Sequence, residues 1–181
     1  MPIPDYQTLM LPLLKFLSNG KELPMREDIE HLYKEFNLTN EERKTLLPSG
    51  QQAVFDNRVG WARTFLKKSG LVESPKRGYV KITSRGLEIL KQNPAVINND
   101  YLKKYPEFVE FLSGKPKQDK EKVKNEEITS EKTPEEMIEE GHQQITQSLA
   151  QDLLNQIKNN PPDFFEKLVV ELLVKMGYGG S

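Results

Sequence analysis

The chain has 181 residues, of which 36% are hydrophobic and 29% are charged, and it contains no cysteine and only two histidines. Disulfide bonds, thiolate catalysis, zinc sites with sulfur ligands and multi-histidine metal sites are therefore excluded. No stretch approaches the roughly 18 to 20 uninterrupted apolar residues that span a bilayer, and the first twenty residues lack the features of a signal peptide. We expect a cytoplasmic protein without membrane contact.

Charge is distributed unevenly along the chain, although the formal net charge is only -1. Residues 1–95 carry 15 Lys and Arg against 11 Asp and Glu, whereas residues 96–181 carry 11 against 16. Between Arg58 and Lys91 there are nine basic side chains and only two acidic ones. Such clustering predicts a polyanionic partner, and the alternative is an ordinary solvated face.

Three helices are predicted in the first fifty residues. The segment DYQTLMLPLLKFLSNG spaces apolar residues at helical intervals and ends in an Asn-Gly signal; Pro12 should bend this helix or mark its start. A second helix follows Pro24, with acidic residues in its first turn and an apolar face. Thr39 and Glu42 form a capping box that predicts a short third helix.

The segment between residues 51 and 93 predicts a polar-faced helix followed by a β-hairpin. The segments LVES and YVKIT alternate apolar and polar residues as short strands do, and PKRG between them is typical of a hairpin turn. Thr83 or Ser84 caps a further helix. The side chains that share the apolar face of the polar-faced helix are Phe55, Val59, Ala62 and Leu66.

Helices followed by a hairpin with a basic tip occur in this order in a winged helix, where one helix enters the major groove of DNA. Asn57 and Thr64, on the side away from the apolar face, are suited to reading base edges. Trp61 lies at the flank, either as a core residue or as a residue that stacks on DNA. The cations placed to neutralise phosphates are Lys67, Lys68, Lys76, Arg77 and Lys81.

Several of these cations have another interpretation. Lys67 and Lys68 lie in the last turn of their helix, where positive charge favours the helix dipole whether or not DNA is present. Arg77 lies at the hairpin tip, which has little structural use for a guanidinium. If all five cations contact phosphates, log K should fall with log salt with a slope of about -4 to -5.

The remainder of the chain divides into an ordered segment, a linker and two helices. Residues 94–112 keep enough aromatic side chains to pack back on the preceding domain, so that domain is expected to span residues 1–112. Residues 113–132 have two aliphatic and no aromatic residues, which predicts a flexible charged linker. Thr133 and Glu136 form a second capping box and begin a long amphipathic helix. A last amphipathic helix follows Pro161-Pro162 and ends in a glycine turn.

The run LLPSGQQAVFDNRVGWARTFLKKSGLVESPKRGYVKITSRG resembles the amino-terminal domain of Mrr-type restriction system proteins, the modification-dependent nucleases of bacteria and archaea. The closing segment FFEKLVVELLVKMGYGGS resembles the opening helix of their endonuclease domain. The resemblance implies a winged helix-turn-helix domain over residues 1–112, a linker over 113–132, and the truncated start of a PD-(D/E)xK α/β nuclease domain over 133–181. It implies duplex DNA as the partner and methylated DNA as the preferred target.

Complete nucleases of this kind hold Mg²⁺ on acidic residues of a central sheet and use the metal to activate water. No strand pattern after residue 95 matches that sheet, so we expect a chain that binds DNA without cutting it. We assign no catalytic residue, no metal ligand and no bound cofactor; Mg²⁺ is expected only for a complete nuclease domain. Glu166 and Glu171 are candidates for the extra metal-site glutamate of some such nucleases, and solvated carboxylates are the alternative.

Two further hypotheses explain the same residues. A transcription regulator would use the winged helix on palindromic half-sites and dimerise through the C-terminal helices. A protein-interaction module would use the basic stretch as a partner surface. The two C-terminal helices are too small for a core of their own, so each hypothesis allows a homo-oligomer.

Overall fold

The computed structural model describes residues 3–114 and 131–178. They are mainly helical, with one small three-stranded antiparallel sheet. Met1–Met137 form one compact unit and Ile138–Ser181 form another. The elements in chain order are α1 (Tyr6–Phe16), β1 (Leu23–Pro24), α2 (Met25–Glu35), α3 (Asn40–Lys44), α4 (Val54–Lys68), β2 (Val72–Glu73), β3 (Tyr79–Ile82), α5 (Ser84–Lys91), α6 (Asn99–Leu102), α7 (Pro106–Ser113), α8 (Pro134–Asn159) and α9 (Pro162–Lys175).

Helices α1 and α4 form the centre of the first unit. Helix α1 buries one broad apolar face, with its buried residues at the i, i+3, i+4, i+7 and i+8 positions counted from Tyr6. The predicted apolar face of α4 is confirmed, since all four of its side chains are buried. Pro12 does not mark the start of α1, which was one of the two predictions for this proline. The helix begins at Tyr6, after the Asp5 carboxylate that caps it, and Pro12 lies inside it.

Aromatic rings attach the segment after residue 94 to this core, as predicted. Phe65 of α4 lies at the centre of the cluster, with ring centroids 5.4 Å from Phe108 and 5.9 Å from Phe111 of α7. On its other side the ring of Tyr6 is 5.2 Å away, almost perpendicular to it. Such edge-to-face pairs add to the free energy gained by burying the rings.

The sheet has the strand order β1-β3-β2, so the predicted hairpin gains a third strand on the far side of β3. Leu23 pairs with Val80, and Val72 pairs with Ile82. Strand β1 was not predicted, because two residues cannot show alternation and one of them is proline. Proline is tolerated at a sheet edge, where its missing N–H breaks no ladder bond.

Local signals gave the helix starts correctly. The capping box at Thr39 and Glu42 is present, with both side chains bonded to the opposite backbone N–H. Thr83 caps α5 by accepting from the N–H of Gly86. The predicted linker of residues 113–132 lies mostly outside the described residues; of it, Ser113 ends α7 and Gly114 has a positive φ of 63°.

The second unit contains α8 from Ile138 onward and the whole of α9. Both predicted helices are present, and the stripe that their sequences place on one face is exposed, with Ile138 and Ile145 each 70% accessible. After α9 the backbone turns at Gly177, whose φ is 86°. The last three residues of the chain lie outside the part that the structure describes.

Candidate nucleic-acid interface

Met25 connects the hairpin to the middle of α4. Its backbone N–H donates to the carbonyl oxygen of Gly78 at 2.9 Å. Its methyl group faces Gly60, where an added Cβ would lie 3.5 Å from the methyl carbon. The end of the hairpin turn, the start of α2 and one face of α4 therefore adjoin. We call this region the α4–wing surface: Met25, Arg26, Gly60, Arg63, Thr64, Lys67, Lys76, Arg77 and Gly78.

Two exposed cations mark the two ends of the α4–wing surface. Lys67 lies in the last turn of α4 and Arg77 at the hairpin tip. Neither side chain takes part in an ion pair or hydrogen bond with the residues that the structure describes. Charged groups left in this state can bind a polyanion without first breaking an internal contact.

The other three cations that were predicted to contact phosphates each have neighbours within the protein. The Lys76 ammonium lies 3.8 Å from the Tyr79 ring centroid and 3.9 Å from the Glu22 carboxylate. The Lys68 ammonium lies 4.9 Å from the ring centroid of Phe111. Lys81 is half-buried on β3, in register with Glu73 on β2. All three remain predictions as phosphate contacts.

Thr64 and Trp61 occupy different surroundings. Both are half-buried, and the Thr64 hydroxyl donates to the backbone carbonyl of Gly60 at 2.9 Å. Trp61 packs edge-on against Phe65, with 5.6 Å between ring centroids, which favours the core interpretation of this residue. Thr64 therefore stays on the α4–wing surface, and Trp61 lies toward the aromatic cluster.

Asn57 is buried, although the helical pattern places it on the side of α4 away from the apolar face. Its side chain is only 3% exposed. Its amide oxygen accepts from the Thr133 hydroxyl at 2.8 Å, and its amide nitrogen donates to Gln52 at 3.1 Å and to Glu135. The role of Asn57 in reading a base stays a prediction, because Thr133 and Glu135 from later in the chain cover its side chain. Contact with a base would require that cover to leave.

The basic stretch between Arg58 and Lys91 is not a single patch, because two of its arginines hold internal contacts. Arg58 pairs with Glu136, and Arg85 donates to the Ser69 carbonyl at 3.0 Å and to Glu107 at 3.3 Å. Arg63, which the sequence did not single out, is half-buried on the same face of α4 as Gly60 and Lys67. Helical spacing from those two residues could have identified it.

A buried carboxylate lies next to this surface. Asp28 on α2 has no exposed area, and neither of its oxygens has a hydrogen-bond partner among the described residues. Burial raises the pKa of Asp28 to about 7, against the lowering effect of the Arg63 guanidinium. The protein therefore carries a carboxyl group that changes charge near neutral pH.

We expect the free energy of unfolding to decrease as the pH rises from about 4 to about 7 through this group. In that range the folded protein keeps the proton on Asp28, whereas the unfolded chain has released it, and above about pH 7 both states are ionised. Asp28→Asn should remove this part of the pH dependence in thermal melts. The exposed Glu41→Gln is the control and should retain it. An unchanged pH dependence in Asp28→Asn would contradict the assignment.

Gly60 gives a second prediction, because the space around it would also accommodate the side chain of alanine. A Cβ there would make only ordinary contact with Met25, and alanine inside a helix is more stable than glycine by about 0.5 to 1 kcal/mol. We expect Gly60→Ala to raise the melting temperature and to weaken binding to duplex DNA, because the methyl group keeps a backbone phosphate away from α4. Thermal melts and a gel-shift titration measure the two effects. A stabilised variant with unchanged DNA affinity would show that Gly60 does not approach DNA.

The described residues show neither a cluster of metal ligands nor a membrane-spanning helix. They contain no group of three or more His, Cys, Asp or Glu side chains that could hold a metal ion. Among them, no helix combines the length and apolarity needed to cross a bilayer.

Comparison with known proteins gives two matches. Residues 6–92 match the Mrr N-terminal domain. The Type IV methyl-directed restriction enzyme EcoKMrr of Escherichia coli (strain K12) is 26% identical over 193 residues, covering 99% of this chain. The chain spans 61% of the length of that enzyme. No solved structure matches the chain.

Proposed function

Because the chain is an Mrr-type protein, we propose that its first unit is a winged-helix domain that binds duplex DNA for a restriction system. Helix α4 would enter the major groove, and the hairpin between β2 and β3 would lie along the adjacent backbone. The element order and the sheet order are consistent with this architecture. The match to the Mrr N-terminal domain, over residues 6–92, covers these same elements.

One observation carries the proposal: the continuity of the α4–wing surface. Met25 bridges the hairpin and α4, so the cations of both elements border one face. The exposed groups Lys67 and Arg77 provide phosphate contacts at its two ends, and Thr64 and Arg63 lie between them on α4. A winged helix needs this combination, since phosphate contacts set the register in which the helix reads bases.

Methylated DNA is the target that we propose, on the basis of the relative. The E. coli protein is described as methyl-directed, and the similarity covers 99% of this chain. Recognition would take place in the major groove, where a methyl group adds apolar contact area. The residues that we propose for base reading are Thr64 and Arg63, with Asn57 only after release of its cover.

Titration of the full chain with matched duplexes tests this function. Two duplexes of the same sequence, one methylated and one unmodified, would be compared by fluorescence anisotropy. We expect both to bind, and the methylated one to bind more tightly. No binding of any duplex would reject the DNA-binding proposal. Equal binding of the two duplexes would leave DNA binding in place and reject methyl preference.

Cleavage is a separate proposal. We propose that α8 and α9 are the start of an endonuclease-like domain, because the resemblance to the E. coli enzyme extends through them. In a complete nuclease domain, Mg²⁺ would supply an activated water for attack on a phosphodiester. Glu166 and Glu171 stay candidates for its metal site, and both are exposed here. DNA binding by the first unit does not depend on them.

A further inference from the structure

A turn at the start of α8 lies against α4 within the first unit. The side chain of Thr133 has no exposed area, and its hydroxyl donates to Asn57 at 2.8 Å. Glu136 accepts two hydrogen bonds from the Arg58 guanidinium on one carboxylate oxygen, at 2.7 Å and 3.1 Å. The side chains of Arg58 and Glu136 are only 17% and 12% exposed. The turn is therefore packed against the helix and largely withdrawn from solvent.

Glu136 caps its own helix and pairs with α4 at the same time. Its second carboxylate oxygen accepts from the Thr133 N–H at 2.8 Å, and its own N–H donates to the Thr133 hydroxyl at 3.2 Å. This is the capping box that the sequence predicts. A simple cap would leave the carboxylate in solvent, whereas here it also neutralises a largely buried guanidinium.

Arg58 joins three separate parts of the chain. Besides Glu136, it donates to the backbone carbonyls of Ile3 at 2.6 Å and of Pro4 at 3.2 Å. The extended N-terminal segment, α4 and the start of α8 therefore meet at one guanidinium. Removing one partner of such a pair is costly, because the other charge remains buried without compensation.

The charge state of Glu136 agrees with this role. Burial acts to raise the pKa of Glu136, but the hydrogen bonds from Arg58 and from the Thr133 backbone outweigh it, and the net pKa is lowered. A lowered carboxyl pKa means that the ionised form stabilises the fold. This stabilisation is complete above the ordinary pKa of 4.5 and is lost only as the pH falls through the lowered value.

Helix α7 and the turn at Thr133 contact α4 at different points. Helix α7 packs near the C-terminal end of α4, through Phe65 and Lys68. The turn at Thr133 binds near the N-terminal end, at Asn57 and Arg58. These points are about 10 to 15 Å apart along the helix, at about 1.5 Å per residue.

We infer that the Thr133–Glu136 turn is a docking element that fastens the first turn of α8 to helix α4. The first turn of α8 is bonded to α4, so a change at the first turns of α4 should alter the stability of the first turn of α8. This inference does not require that α4 binds DNA.

Hydrogen exchange of the full chain, followed by mass spectrometry, tests the docking element. Asn57→Ala removes the partner of Thr133 from α4 and leaves the sequence of α8 unchanged. Glu136→Gln removes the charge that pairs with Arg58, while glutamine at this position still completes a capping box. Glu131→Gln, an exposed site in the same segment, is the matched control. The peptide that covers residues 131–140 is compared with a peptide from α1.

In the wild type and the control, the amides of residues 136 and 137 should exchange slowly. In Asn57→Ala and in Glu136→Gln, we expect their exchange to become about tenfold faster or more, with α1 unchanged. The result for Asn57→Ala is decisive, because a substitution on α4 would not change the amide exchange of a cap that depends on α8 alone. Unchanged exchange in both variants, or an equal rise throughout the first unit, would overturn the inference.

Discussion

Gly86→Ala is expected to destabilise the first unit by about 3 kcal/mol, at the upper end of what overpacking costs. A Cβ at this position would lie 2.3 Å from the carbonyl oxygen of Leu71 and 2.6 Å from a side-chain carbon of Ile82. The first of these atoms belongs to the backbone, which has little freedom to move away. The Leu71 carbonyl also accepts from the N–H and the hydroxyl of Thr83, so its displacement would disturb the cap of α5.

A thermal melt of the full chain measures this effect. For a unit of this size, about 3 kcal/mol corresponds to a fall of about 10 °C in melting temperature. Gly141→Ala is the matched control, because a Cβ there meets nothing within 4 Å and the position lies inside α8. The control should keep or slightly raise the melting temperature. A Gly86→Ala protein as stable as the wild type would show that the hairpin and α5 pack less closely than described.

The double substitution Lys67→Ala with Arg77→Ala is expected to weaken binding to duplex DNA by about a hundredfold or more at low salt. Hydrogen bonds to charged groups contribute about 1.5 to 3 kcal/mol each, and both contacts are lost. Because both side chains are exposed, the fold and the melting temperature should be unaffected. Titration of a labelled duplex by fluorescence anisotropy gives the affinity.

The control for this prediction changes the net charge equally at another place. Lys167→Ala with Lys175→Ala removes two exposed cations from α9. If binding depends on the α4–wing surface, this control should bind nearly as tightly as the wild type. An equal loss of affinity in both double variants would mean that only the overall charge matters.

Local and periodic features of this fold were predictable from the sequence. The buried face of α4, the hairpin and the caps at Thr39, Thr83 and Thr133 depend on residues a few positions apart. Such signals act within one helix or one turn, so a single sequence contains them completely. The resemblance to Mrr-type proteins rests on the same segments and is confirmed.

Long-range contacts were not predictable in the same way. Strand β1 exists because Leu23 and Pro24 pair with a strand more than fifty residues later. Asn57 was assigned to the polar face of α4, yet residues beyond position 130 cover it. Helical periodicity describes the direction of a side chain but not the segment that packs against it, so a polar residue on an open face and one under a distant turn look alike.

The same limit applies to the basic stretch. The count of charges from Arg58 to Lys91 shows an excess of basic residues, but two of its arginines pair with acidic residues from later in the chain. The cations that remain exposed on the α4–wing surface are fewer than the count suggests. The electrostatic argument therefore depends on Lys67, Arg77 and their neighbours, and not on the net charge of the stretch.

The salt dependence of DNA binding tests the central claim most directly. Each phosphate contact contributes about -0.9 to the slope of log K against log salt, so the five predicted cations give about -4 to -5. The Lys67→Ala and Arg77→Ala protein should show a slope shallower by about 2, and the α9 control should keep the wild-type slope. These results would locate the contacts on the α4–wing surface. A full chain that binds no duplex, or binds one with no dependence on salt, would contradict the account.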